Sequence, residues 1–445
     1  MIFACQKEKE RLFPDSAIWR VSTTERSLSM PQNIAKSAVE RTSKRLLDEV
    51  FVSLGKVKRR AVEAIFDSIL RVGSPLVKDI ALSVPNVTTS RKGLQEKVSG
   101  WLLRYDFAAP VHDYLWREGA RMIGPDTVIA VDSGDISKEF GGKGMEGMEM
   151  GYDASRGVTA MGHCLLCAAI VLRRRATAWR LNLIKGRKGL PNKERELFND
   201  IVKATGGKGI PVHDRGFDSE EFIAHVGKSM HRAVVRIKTM TRDLFGTGKD
   251  IEEDMASAPA VHAVLRSPTR HVDATIRWRS GFFPVGNSYI PVLVVSSTFG
   301  GKTLYLYALN FTKENATPDQ IRKAAILAAN AYFCRWSVEV LFQDIKQCFS
   351  VEGARVRKFK RLENLLALCT LAYTYYAHVL PYSGEDAGRL FKTMKDTLHE
   401  IVERFRPFVT NVRELLRLVH PAYISGRPRK VKPPDLTPLL PGFTP

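Results

Sequence analysis

The sequence predicts an α/β protein with a helical region ahead of its sheet and further helices behind it. Three observations carry that prediction. Between Asp126 and Met240, short apolar runs rich in β-branched residues alternate with helical patterns, as in DTVIAVDSGDI, GIPVHDRGFDS and RAVVRIKTM. Ahead of them, from Asn33 to Asp106, apolar residues recur at three- and four-residue steps. After them, two long helical segments follow Thr317. A chain of 445 residues, 44% hydrophobic and 26% charged, is too apolar to be disordered and long enough for roughly two or three domains.

In order, residues 1–30 lack periodicity and are expected to be a flexible arm. Residues 31–122 form the predicted helical domain. Within it, Ser74 and Pro75 mark a helix start, Pro85 and Asn86 a break, and Thr89 or Ser90 a cap for a helix opening with Arg91 and Lys92. Two short helices, a turn and a basic second helix fit a helix-turn-helix, a pattern that any small helical bundle also meets. Residues 123–240 form the first part of the sheet core, with order strand-strand-strand-helix-strand-helix-strand: a meander leading into parallel strands. NKERELFNDIVKAT predicts a capped helix from about Asn192. Residues 241–316 alternate polar and apolar residues and read as an all-β insertion. Residues 317–380 return to helix, 381–424 are further helices, and the proline-rich, basic stretch 425–445 reads as a tail.

The charge narrows the function. There are 68 Lys and Arg against 47 Asp and Glu, a net +21, and the surplus recurs in the first 120 residues, the middle and residues 351–445. Positive charge distributed in this way favours a nucleic-acid partner touching several regions. Six cysteines make no disulfide framework and predict a reducing, cytoplasmic setting. The apolar run Gly162–Leu172 is too short to span a bilayer, and the N-terminus lacks a signal-peptide core. Membrane and secreted classes are thereby excluded.

Asp132 and Asp214 each end a buried-looking strand. Carboxylates at the carboxyl ends of neighbouring strands share the crevice where ligands and metals collect. A lone Asp there is usually a turn former. Two are costly to bury unless a cation neutralises them, and oxygen ligands without histidine point to Mg²⁺ or Mn²⁺. Tyr332, Arg335, Glu339 and Lys346 fall within an arc of about 60° on one helix face at 100° per residue. That face offers a carboxylate flanked by a phenol and two cations, suited to a divalent metal and a phosphate side by side. An exposed face with an Arg335–Glu339 ion pair meets the same spacing.

The spacing Tyr-x2-Arg-x3-Glu-x6-Lys at those four residues resembles the signature of insertion-sequence transposases of the IS-four type. VDSGDISK and VHDRGFD resemble the segments that hold this family's two aspartates. The resemblance, covering roughly residues 60–420, implies a cut-and-paste DDE enzyme with an RNase H-like core. It implies Asp132, Asp214 and Glu339 as metal triad, with two Mg²⁺ or Mn²⁺ ions, and Tyr332, Arg335 and Lys346 as phosphate holders. Two such ions, roughly 3.5–4 Å apart, serve attacking and leaving oxygens of an in-line displacement. It further implies double-stranded DNA as partner, both the terminal inverted repeats of an element and target DNA, cleavage through a hairpin, a homodimer on DNA, and a prokaryotic, nucleoid-associated setting. The all-β insertion would stack a flipped base on an aromatic residue, for which Trp278 is the candidate with Phe282 and Phe283 behind it.

Rival assignments stand beside these. Asp135 competes with Asp132, and Asp344 or Glu352 with Glu339, although neither of the latter fits the Tyr-Arg-Lys frame. His163, Cys164 and Cys167 lack a second pair at zinc spacing and read as core. His213 reads as a packed neighbour of Asp214, and Arg215 either touches DNA or balances the acids. An RNase H-like nuclease, a domesticated DNA-binding protein and a glycosidase acid pair are the alternative functions.

Overall fold

The computed structural model describes residues 32–84, 89–138, 144–153, 158–172, 176–268, 270–349 and 351–375, all within the first of two compact units, residues 1–380. The arm expected at 1–30, the helices at 381–424 and the tail at 425–445 lie outside the described residues.

The chain begins with α1 (Gln32–Val50), α2 (Lys56–Val72), α3 (Val77–Ser83), α4 (Arg91–Arg104) and α5 (Ala108–Arg121). Local capping sets their limits. The Ser74 hydroxyl donates to Asp79 at 2.7 Å while accepting from the Leu76 amide at 3.2 Å. Ser90, rather than Thr89, caps α4 by accepting from the Gly93 amide at 3.2 Å. The periodic apolar residues become the core of the bundle: Phe51, Ile65, Phe66, Ile69, Val98, Leu102 and Phe107 are buried.

A ten-stranded sheet follows. Its strands are β1 (Val128–Ser137), β2 (Glu149–Asp153), β3 (Val158–Val171), β4 (Ala176–Ile184), β5 (Ile210–His213), β6 (Ala233–Arg236), β7 (Ala260–Arg266), β8 (His271–Val285), β9 (Ser288–Phe299) and β10 (Lys302–Leu309). The order across the sheet is β2-β3-β1-β5-β6-β10-β9-β8-β7, with β4 also paired to β3. As the sequence order predicts, antiparallel β1, β3 and β4 lead into β5 and β6, which run parallel to β1. The crossovers are α6 (Leu190–Thr205) and α7 (Glu220–Lys228). Helix α6 starts two residues before the Asn192 expected from the pattern, because Pro191 in its first turn is pre-set for helix.

The stretch expected as an all-β insertion differs from that reading. Strands β7 to β10 make no separate sheet: β10 pairs with β6 and extends the core, and α8 (Ile251–Ala256), capped by Asp250 on the Glu253 amide, lies within the stretch. Ala233, Val234 and Val235 are fully buried, so the free backbone edge of β6 needs a partner, and β10 supplies it.

Two helices complete the layers: α9 (Pro318–Phe349) and α10 (Phe359–Thr374). One face of the sheet packs Val131, Ala168 and Val235 against Leu197, Phe198 and Phe222 of α6 and α7. The other packs Val212, Val234, Leu306, Val295 and Ile276 under Ala324, Ala325, Ala328, Ala329 and Ala331 of α9. Small side chains let this long helix lie close across the strands. Helix α10 instead closes the N-terminal bundle. Its fully buried Asn364 accepts from the Phe107 and Ala108 amides at 2.8 and 2.9 Å and donates to the Leu102 and Tyr105 carbonyls at 2.8 and 2.9 Å. Trp116 of α5 stacks on Trp179 of β4, centroids 3.9 Å apart, and ties bundle to sheet.

Candidate active site

Strands β1 and β5 set the site. Val131 is level with His213 in their parallel register, so the next residues, Asp132 and Asp214, lie at one height. Asp214 follows the end of β5, whereas Asp132 is the fifth residue of β1, which runs on beside β3 to Ser137 instead of ending at the acid as the sequence suggests. Even-numbered residues of β1 face α9: Phe342 lies about a van der Waals contact from the position a Cβ would take on Gly134. Helix α9 brings its own residues down on that face. The Tyr332 hydroxyl donates to Asp214 Oδ1 at 2.8 Å. Arg335 donates from Nη1 to Asp132 Oδ2 at 2.9 Å and from Nη2 to Glu339 Oε1 at 2.7 Å. Arg236, the last residue of β6, reaches Asp214 Oδ1 at 3.5 Å. Tyr332, Arg335 and Glu339 of the helical arc thus meet Asp132 and Asp214, and Arg335 is only 5% exposed.

Burial and charge split the two aspartates. Burial pushes Asp132 up to about 7, helped by the negative charge of Asp214 and Glu339 and opposed by Arg335 and the Ser133 amide. Burial also acts on Asp214. There Arg335, the Arg215 amide, the Tyr332 hydroxyl and Arg236 together outweigh it, and its carboxyl sits below the usual range. Arg335 and Tyr332 are both shifted upward. Burial works against the Arg335 charge, but its anionic neighbours overcome that; for Tyr332, burial comes first and Asp214 adds to it.

Three carboxylates with no histidine form a hard oxygen donor set, and Asp132 resists ionising where no further cation supports it, so the residues fit Mg²⁺ or Mn²⁺ in chemistry. Among the described residues no three His, Cys, Asp or Glu side chains converge on a common point, because the Arg335 guanidinium stands between Asp132 and Glu339.

The remaining expected residues fall in different places. Lys346 lies about two turns beyond Glu339 and pairs with Glu352 at 3.3 Å. Arg215 is exposed at the start of the short turn after Asp214. Arg91 and Lys92 are exposed at the head of α4, in the bundle. Trp278 shares a row with Arg236 through Leu306 and Val295, which puts it three strands away, roughly 14 Å at about 4.8 Å per strand. It is half-buried against the α9 core, with Phe282 exposed and Phe283 buried on the opposite face. The exposed aromatic beside the acids is instead Trp336, 53% exposed, one turn from both Tyr332 and Glu339.

The rival acids are engaged elsewhere. Asp135 points to the opposite sheet face from Asp132 and pairs with Arg187. Asp344 accepts from the Tyr373 hydroxyl at 3.2 Å. His163, Cys164 and Cys167 are buried within β3. His213 is fully buried with Phe217 and Phe222 at 4.8 and 4.9 Å between ring centroids, and burial drives it down to about 3. Two residues escaped the sequence reading. Arg236 left a signal as the arginine that closes an apolar strand. Lys138, in the first aspartate segment, donates to the Val351, Glu352 and Ala354 carbonyls at 2.9 Å each and pins the turn after α9. Only the fold could reveal that contact.

No protein-family model matches the chain, and no curated protein matches it. Among solved structures it is similar to a piggyBac transposase, seen by cryo-EM as a synaptic complex with hairpin DNA. The two align over 91% of this chain and 84% of that one, at 14% identity and a TM-score of 0.38. At that overlap the geometry of the site, and not the likeness, is the basis for function.

Proposed function

We propose that the protein is a DDE transposase: it cuts double-stranded DNA at the ends of an insertion sequence and joins them to target DNA. The observation that carries this reading is the meeting of Asp132 and Asp214 with Tyr332, Arg335 and Glu339 of α9 around one buried guanidinium. An RNase H-like core is our reading of the meander that leads into β5 and β6. Asp132, Asp214 and Glu339 would hold Mg²⁺ or Mn²⁺, which supplies activation of the attacking oxygen and stabilisation of the leaving oxygen. The chain's own groups do the rest. Tyr332 and Arg236 orient Asp214. Lys346 and the exposed Arg215 face a DNA phosphate, Trp336 offers a ring to a base, and His213, sealed among aromatic rings, moves no proton. Arg91 and Lys92 add DNA contacts from the bundle. Two DNA ends held together call for a homodimer on DNA, and a hairpin intermediate belongs to the same reading.

Strand cleavage on the DNA flanking the gene tests this, with Mg²⁺ or EDTA and with wild type beside Asp214→Asn. Metal-dependent cutting at discrete ends, absent in the variant, supports it. Binding without cutting under any condition replaces it with a DNA-binding protein that keeps the fold, and cutting without joining with a nuclease.

A further inference from the structure

The guanidinium of Arg335 is the most confined cation among the described residues of the site. It is 5% exposed, grips one carboxylate on β1 and another on its own helix, and leaves its Nε buried without a hydrogen-bond partner. A guanidinium placed for its own hydrogen bonds would satisfy that donor. Here charge decides the position: Asp132 and Glu339 need a cation between them, and Arg335 is the side chain that reaches. Asp214 takes its contacts from Tyr332 and Arg236 instead, although the charge of Arg335 still acts on it.

We propose that Arg335 is the resident counter-cation of this site and exchanges places with the divalent ion. Uptake of the ion breaks the Asp132 and Glu339 contacts and turns the guanidinium outward, toward an anion on the open side of α9. The physical reason is mutual exclusion: the oxygens that bind the guanidinium are the oxygens that would bind the ion, and two cations cannot share them at contact distance. The exchange also keeps the acids compensated in the absence of metal, so the site need not unfold or protonate fully to exist empty. This inference rests on the metal-binding reading given above.

Mn²⁺ titration of the full chain, followed by the electron paramagnetic resonance of the free ion, tests it without any need for activity. Four proteins are compared: wild type, Arg335→Gln, Arg335→Lys and Arg236→Gln. Arg236→Gln removes an equal charge from beside Asp214, the third acid of the site, without breaking any bridge between two carboxylates. If Arg335 must be displaced, Arg335→Gln binds Mn²⁺ at least about tenfold more tightly than wild type, because no charge-assisted bonds have to break first. Arg335→Lys, which keeps the charge and loses the fork, falls between the two, and Arg236→Gln changes affinity less than about threefold. Equal tightening by Arg335→Gln and Arg236→Gln overturns the exchange and leaves metal binding standing. No Mn²⁺ uptake by any of the four overturns both. Should Arg335→Gln fail to fold, the Lys variant against Arg236→Gln decides alone.

Discussion

Arg335, Asp132 and Glu339 make a closed circuit of charge, and single side chains in it separate binding from chemistry. Glu339 is the acid that α9 brings to the site and its carboxylate is partly open, so Glu339→Gln is expected to abolish strand cleavage while DNA-end binding stays within about twofold, as read by gel shift. Lys346→Ala removes one phosphate contact. The slope of log affinity against log salt for a cleaved end should fall by about one, and an unchanged slope would remove Lys346 from the DNA contact. Away from the site, Glu194 of α6 is buried, and burial pushes it up to about 7. A carboxyl whose folded value is raised holds a proton that the unfolded chain gives up, so its cost is absent below about 4.5 and grows as pH rises to about 7. Glu194→Gln should therefore be about as stable as wild type at pH 4.5 and gain about 3 kcal/mol at pH 8. A constant difference across that window would refute the assignment.

At the scale of elements, the bundle depends on one polar residue of a distant helix. Asn364 of α10 uses both its oxygen and its amide to join the end of α4 to the start of α5, completely out of solvent. Asn364→Leu removes four hydrogen bonds from buried and half-buried backbone groups, and a loss of about 3 kcal/mol is expected in urea unfolding. Gly119 makes a similar demand through packing, since a Cβ there would run into the Trp179 ring. The carboxylates, in turn, owe their meeting to α9. Its alanine face lets it lie across the sheet, and its next two turns deliver Tyr332, Arg335 and Glu339 to the middle of β1 and the end of β5.

For the whole molecule, a net +21 carried along the entire chain is a statement about association rather than fold. Affinity for DNA should fall by about 10³ or more between 50 and 200 mM salt, measured by fluorescence anisotropy, if six or more phosphates are contacted. A flat response would leave the charge without a polyanion to meet. None of the helices among the described residues is long and apolar enough to cross a membrane.

How much of this was legible in the residues follows from range. The α/β class, the meander into parallel strands, the Ser90 cap and the shared face of Tyr332, Arg335 and Glu339 all depend on local periodicity, which a sequence carries in full. The pairing of β10 with β6, the reach of Asn364 and the clamp of Lys138 depend on which elements lie side by side, and Asp135 takes the other face because β1 runs on past Asp132. The position of Trp278, four strands from Asp214 and five from Asp132, was equally out of sight. The sequence by itself determined which side chains share a helix face and which apolar runs are the strands that carry the acids. Only the tertiary structure decided that those acids meet across β1 and β5 and that Arg335 is the cation between them, because buried charges are settled by whatever neighbours the fold supplies.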